Sequence, residues 1–322
     1  MTKATAIAHP IQGLIKYHGL RDEKLRLPFH DSISVATAPL ETRTTLELRP
    51  DLDQDVIEID GKEVSGREYD RAEIILNTFR HFTKRPERVF MRSANNFPSN
   101  IGLGASSSGF AALTMAANAL YEAGLTMRQM SSVARLGAGS ASRAVAGSYA
   151  HWYTGTDHET SYAEAIATAA QLPMAITIAV IPAYKITEDA HKEAVQSPFW
   201  ACRAAYAKVI LDDLRAAVIA GDFSNVGLLA ERDSLSLHAT TMTGPGGMLH
   251  WQPETLMVFH EVRKMRAEGL EAYFSVDTGA TVYVNSRPQD RAAVEARIQA
   301  LGIETMAAEV GGAARLVNEH LF

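Results

Sequence analysis

Pro98-Ser99-Asn100-Ile101-Gly102-Leu103-Gly104-Ala105-Ser106-Ser107-Ser108-Gly109 passes from a proline turn through two spaced glycines into three consecutive serines. Directly after it, Phe110, Leu113, Ala117, Leu120 and Tyr121 form one face of a helix that Gly124 can stop in a left-handed conformation. Glycines let backbone N–H groups approach an anion, serines add hydroxyl donors, and the following helix offers its positive end. The stretch is not a Walker A loop, since Gly109 is followed by Phe110 and Ala111 in place of Lys and Ser or Thr. Nor is it a dinucleotide fingerprint, because a third glycine is missing at 107. Taken alone, a Gly/Ser loop before a helix is more often a tight turn and N-cap than a phosphate cradle.

Upstream of the loop, short β-patterned runs alternate with turns: Ile33–Thr37, Thr44–Leu48 and Val56–Ile59, the last ending at the hairpin signal Asp60-Gly61. Residues 69–83 carry apolar side chains near helical spacing, and Val89-Phe90-Met91 returns to strand. Downstream, Thr126 is a candidate N-cap for a helix to Gly137, and a third helix is expected from about Ser140 to Trp152. These helices on an antiparallel sheet make an α+β domain. Met174–Ile181 reads as a strand between Pro173 and Pro182. Ser197-Pro198 reads as an N-cap with proline at the first position of a helix reaching Ala220. Helical patterns at 226–237, 253–268 and 288–300 then alternate with strands at 271–276, 280–285 and 304–309, a second α+β lobe.

At 322 residues the chain exceeds the ~250–300 at which single cores stop growing, so two lobes are expected, 1–172 and 173–322. Lys plus Arg total 31 against 37 Asp plus Glu, and the net charge of −6 offers no general attraction to nucleic acid or to an anionic membrane. Any anion site must therefore be local. A single cysteine, Cys202, excludes an internal disulfide. The amino terminus lacks a signal-peptide pattern and no run reaches the ~18 apolar residues of a membrane span, which points to a cytoplasmic protein.

Three residues carry chemistry beyond the loop. Asp277 ends the run Phe274-Ser275-Val276 at a glycine turn, where an Asx turn with a solvent-facing carboxylate is the bland reading. Lys16 follows Leu14 and Ile15, so its head must snorkel to solvent or meet an anion. Arg143, in Gly137-Ala138-Gly139-Ser140-Ala141-Ser142-Arg143, stands at an expected helix start, where a cation is disfavoured unless an anion is near. One carboxylate, two cations and a nucleotide loop suffice for phosphoryl transfer. The 11 histidines include no close ligand pair, and no protein-bound metal site is expected.

The order of these stretches, with His9-Pro10-Ile11-Gln12-Gly13-Leu14-Ile15-Lys16-Tyr17-His18-Gly19 and Pro28-Phe29-His30-Asp31-Ser32-Ile33-Ser34, resembles the mevalonate diphosphate decarboxylase branch of the GHMP kinase superfamily. Within it the two latter motifs look most like the archaeal-type phosphomevalonate decarboxylases. The resemblance implies a two-lobe GHMP fold, with a ribosomal protein S5 domain 2-like N-terminal lobe and a ferredoxin-like C-terminal lobe. It implies ATP, arriving with Mg2+ bound mostly by phosphates and water, at Gly102, Gly104, Ala105, Ser106, Ser107 and Ser108. By the same resemblance Asp277 faces the substrate's tertiary hydroxyl, Lys16 lies beside it, and Arg143 holds the substrate carboxylate. Tyr17, His18 and Ser140 join Arg143 in substrate binding. A cytoplasmic homodimer acting on mevalonate 5-phosphate in isoprenoid biosynthesis is the expected protein.

Departures from the diphosphate-using pattern bear on the substrate. Leu20 stands where those relatives carry a lysine, Ala138 where they carry a serine, and His30 where they carry an asparagine. A diphosphate needs one more phosphoryl group neutralised, so the loss of a cation and a hydroxyl favours a monophosphate. His18 and His30 are candidate replacement donors. The rival readings are a mevalonate 5-diphosphate decarboxylase, a kinase that stops before decarboxylation, and a non-catalytic binding protein of the same fold. The last predicts a lost loop or aspartate, and both are present.

Overall fold

Strand-forming runs of the first hundred residues build most of a six-stranded sheet in the computed structural model, which describes residues 2–99, 101–183 and 187–322. Asn100, in the lead-in to the glycine loop, lies outside the described residues. The strand order is Arg315–Val317, Lys3–Ala8, Thr42–Leu48, Val89–Asn95, Val56–Ile59 and Lys62–Glu63. Among the described residues, only Val56–Ile59 with Val89–Asn95 is a parallel pair in this sheet. The Asp60-Gly61 hairpin forms as expected, both residues with positive φ (50° and 77°), as a two-residue hairpin turn requires. Helices Arg67–Thr83, Ala105–Leu120, Met127–Gly137 and Ala141–Ala146 pack with this sheet around one core that includes Leu46, Phe79, Leu113 and Met130. Thr126 caps its helix with a full capping box through Gln129.

Several helix boundaries differ from the sequence expectation. The helix expected to reach Trp152 stops at Ala146, because Gly147 turns left-handed (φ 64°) with the backbone of Gly312 packed against its Cα. Tyr149–Tyr153 is a strand instead, its aromatic and β-compatible residues pairing on both sides. The helix expected from Pro198 starts at Trp200, with Ser197 Oγ accepting Phe199 N–H at 3.1 Å just ahead of it. A helix at Thr187–Val195, which no pattern announced, precedes it.

The second sheet runs Tyr162–Ala167, Tyr149–Tyr153, Ser32–Ala38, Thr305–Val310, Ala175–Ala179, Val282–Ser286 and Ala272–Ser275, with Ile11–Ile15 paired to Ser32–Ala38. Its strands come from both halves of the chain, joined where Ala38 meets Glu309 and Thr37 meets Val310. Helices Trp200–Ala220 and Phe223–Met242 share a core with it that includes Ile33, Ile176 and Leu214. Helices Pro253–Ala267 and Arg291–Gln299 close a third core in which Phe259 stacks on Phe274 at 3.9 Å. Among the described residues no helix is long and apolar enough to cross a membrane.

One strand matters most for the site. Every residue of Ile11–Ile15 is buried, and Leu14 and Ile15 are fully so. Each such side chain contributes roughly 1.5–3 kcal/mol of burial, so the strand is a rigid stem that fixes the direction in which Lys16 leaves it.

Candidate active site

Lys16 at the end of that stem, Asp277 just past the strand Ala272–Ser275, Arg143 in the helix Ala141–Ala146 and the Gly102–Ser107 loop line a single pocket. Tyr17, His18, Ser140 and Thr278 line it too. Residues far apart in sequence meet here because both halves of the chain contribute strands to one sheet.

Gly13 links the aspartate and the lysine. Its N–H donates to Asp277 Oδ1 at 3.0 Å, and its carbonyl accepts from Lys16 Nζ at 2.8 Å. Ser275 Oγ accepts from the same ammonium at 2.8 Å and donates to Gly13 O at 3.0 Å. Lys16 is buried, so it does not snorkel to solvent. Burial lowers its pKa, and the carboxylates of Asp233 and Asp277 oppose that fall. The Asp277 carbonyl accepts from His238 Nε2 at 2.8 Å, which assigns the proton of that ring to Nε2 and pins the backbone behind the carboxylate. The half-buried carboxylate is therefore tied to another strand, as a lone Asx turn would not be.

Arg143 is buried, and burial lowers its pKa. Its guanidinium lies 5.4 Å from the Tyr17 ring and 5.6 Å from the Trp152 ring, and Nη1 donates to Ser32 Oγ at 2.6 Å. Its Nε has no acceptor among the described residues. A desolvated cation of this kind fits an anionic ligand from the pocket side. The dipole objection raised by sequence loses its force, because the helix is six residues long and Arg143 lies in its last turn.

The loop differs in phase from the sequence expectation. The helix begins at Ala105, with Gly104 as a left-handed N-cap (φ 77°), so the serines occupy its first turn. Ser106 is exposed towards the pocket. Ser107 also lines it, though its Oγ bonds to Gly104 O at 2.6 Å. Ser108 is fully buried and bonds to Thr42 Oγ1 at 2.6 Å, away from the lining, and Ala105 is outside the lining as well. Left-handed Gly102 and Gly104 beside a helix amino end fit a polyphosphate. No group of three metal-ligating side chains occurs among the described residues.

His18 is buried, and burial holds its pKa well below the ordinary value, so the ring is neutral near pH 7. Its Nε2 pairs with Thr278 Oγ1 at 3.1 Å. His30 is buried outside the lining, bonded to the Asp31 carbonyl at 2.7 Å, and Ala138 belongs to the first core. Neither reaches the pocket. Leu20 lines a neighbouring cavity with Glu23, Arg26, His191, Lys192 and Val195. His191 borders both cavities. It stacks on Tyr17 at 5.1 Å and accepts Gly19 N–H through Nδ1 at 3.0 Å. Sequence reading missed it, since its helix carries no motif and its partners lie far away in sequence.

Gly139 lets Tyr17 lie flat in this wall: a Cβ there would sit 2.4 Å from Tyr17 Oη and 2.9 Å from Trp152. Gly139→Ala should therefore displace Tyr17 from beside Arg143, lowering kcat/KM about tenfold or more while the protein stays folded, at a cost of about 1–3 kcal/mol. Steady-state kinetics together with thermal unfolding check it. Unchanged kinetics would mean that Tyr17 has no part in binding.

The model of the diphosphomevalonate decarboxylase-like N-terminal domain family matches residues 8–163. A phosphomevalonate decarboxylase of Haloferax volcanii is 48% identical over 318 residues, 98% of each chain. The mevalonate diphosphate decarboxylase of Staphylococcus aureus superposes with a TM-score of 0.93, at 26% identity and over 98% of each chain. A structure described as MDDEF in complex with MVAPP, AMPPCP and magnesium superposes with a TM-score of 0.92, at 27% identity and over 99% of each chain.

Proposed function

Because the chain belongs to the diphosphomevalonate decarboxylase-like family, we propose that it is an ATP-dependent phosphomevalonate decarboxylase. It converts mevalonate 5-phosphate and ATP to isopentenyl phosphate, carbon dioxide, ADP and phosphate. The observation that carries this reading is the placement of Asp277, Lys16 and Arg143 around one pocket, with the Gly102–Ser107 loop on its wall.

Each residue has a task in that reaction. The Asp277 carboxylate accepts the hydrogen bond, and then the proton, of the substrate's tertiary 3-hydroxyl, while the Lys16 ammonium beside it stabilises charge developing on that oxygen. The loop glycines and the helix amino end hold the ATP phosphates, and Mg2+ enters with them. ATP supplies the phosphoryl group that turns the 3-hydroxyl into a good leaving group. As that phosphate departs with its bonding electrons, C3 gains carbocation character. The carboxylate held by the Arg143 fork then gives up its C–C electron pair to form the double bond and is released as carbon dioxide. A lysine would hold the carboxylate at one point, whereas the fork fixes its plane against the breaking bond.

A cytoplasmic homodimer with lobes 1–172 and 173–322, acting in isoprenoid biosynthesis, goes with this reading. The diphosphate alternative is the one to test. The 48% identity to a phosphomevalonate decarboxylase supports the smaller substrate; Leu20 itself adds no cation, while Arg26 and Lys192 line the neighbouring cavity with it. With ATP and each of mevalonate, its 5-phosphate and its 5-diphosphate at equal concentration, the 5-phosphate should give the highest kcat/KM, by about tenfold or more, since one unmatched charged group costs roughly 1.5–3 kcal/mol. Product identification by mass spectrometry checks it. Preference for the 5-diphosphate would replace the monophosphate reading, and turnover of neither would remove the decarboxylase reading.

A further inference from the structure

The tasks assigned so far leave out Asp233. It lies in the helix Phe223–Met242, fully buried between Lys16 and Arg203. Its Oδ2 accepts the backbone N–H of Lys16 at 2.8 Å and stands 4.0 Å from Lys16 Nζ. Its Oδ1 accepts from Arg203 Nη2 at 2.6 Å, and that same Nη2 donates to the Lys16 carbonyl at 3.0 Å. The two side chains thus grip both backbone groups of the residue that leaves the stem strand. Arg203 is itself buried, and its Nε and Nη1 have no acceptor among the described residues. Such a desolvated pair is costly to maintain for stability alone.

The charge pattern gives the arrangement a use. The ionic groups facing Lys16 are Asp233 and Arg203 from the two long helices, Asp277 across the pocket and Arg143 from its short helix. His18 and His191 line the same pocket, and His18 is neutral. A buried ammonium needs a counter-charge or it gives up its proton. Asp277 alone is a poor guarantor, because its charge is cancelled once it takes the hydroxyl proton. Of the two carboxylates Asp233 exerts the larger upward pull on Lys16, and Arg203 opposes it.

We propose that Asp233 is a positioning residue for the reaction: with Arg203 it fixes the backbone at Lys16 and supplies the permanent counter-charge of the Lys16 ammonium, leaving Asp277 to the substrate hydroxyl. This rests on the reading of Lys16 and Asp277 as the catalytic pair. The full-length protein labelled with [ε-13C]lysine reports the Lys16 titration by NMR, its signal identified by loss in Lys16→Met. Asp233→Asn should lower the Lys16 midpoint by about one pH unit or more, and Arg203→Gln should raise it, since the first removes an attracting charge and the second a repelling one. The alkaline limb of kcat should move in the same two directions. A merely structural role would lower thermal stability and kcat at every pH while leaving the midpoint in place, and that result overturns the proposal. If Asp233→Asn fails to fold, Arg203→Gln decides by itself: an unmoved or lowered midpoint overturns it. Should the unmodified protein decarboxylate neither mevalonate phosphate, the functional reading falls, while the titration still judges the link to Lys16.

Discussion

Asp277→Asn should lower kcat by about 10³-fold while fold and ATP affinity stay as they are, in line with the 10²–10⁴ range for a positioned general base. The asparagine keeps a carbonyl oxygen to accept the Gly13 N–H, so the tie between the two strands survives. What it loses is the negative charge opposite Lys16 and the ability to take a proton. Single-turnover kinetics, calorimetric ATP binding and thermal unfolding separate these effects. A folded variant with near-normal turnover would take Asp277 out of the chemistry.

Arg143→Lys should be nearly as damaging, with kcat/KM for mevalonate 5-phosphate about 10²-fold lower and KM for ATP little changed. One ammonium replaces a planar fork, which forfeits the paired contacts to a carboxylate and the stacking between Tyr17 and Trp152. Burial compounds the loss, because the site already pulls the far more basic guanidinium down, and a lysine there gives up its proton more readily. Full activity and affinity in this variant would place the carboxylate clamp elsewhere.

The loop, Lys16, Arg143 and Asp277 were singled out by the resemblance of their motifs to a family, and the structure brings them to one pocket. Residue chemistry alone left commoner readings, the loop as a tight turn with an N-cap and Asp277 as an Asx turn, because their partners lie far away in sequence. Phase was harder to read. Ser108 sits a turn deeper in the helix than expected, since a glycine N-cap at 104 carries no mark to distinguish it from the glycine at 109. The stem Ile11–Ile15 is buried throughout, so it lacks the alternation by which a strand is recognised. His191, Arg203 and Asp233 were missed for another reason. Each lies in or beside a helix whose pattern records burial, and a buried polar residue is explained by a partner far away in sequence.

The strand Arg315–Val317 forms the edge of the first sheet beside Lys3–Ala8, and Thr5 Oγ1 bonds to His320 across 315 positions. The other sheet likewise waits for Thr305–Val310 before Ser32–Ala38 gains its neighbour from the second half. On the ribosome, the early strands therefore emerge long before the ones that cover them. Contacts of such long range are slow to close and leave an unpaired edge open in the meantime. The pocket is thus completed long after its first parts are made: Gly13 and Asp277 lie 264 positions apart, and the strand that fastens the two halves comes later still, so a half-made chain has no working site to expose.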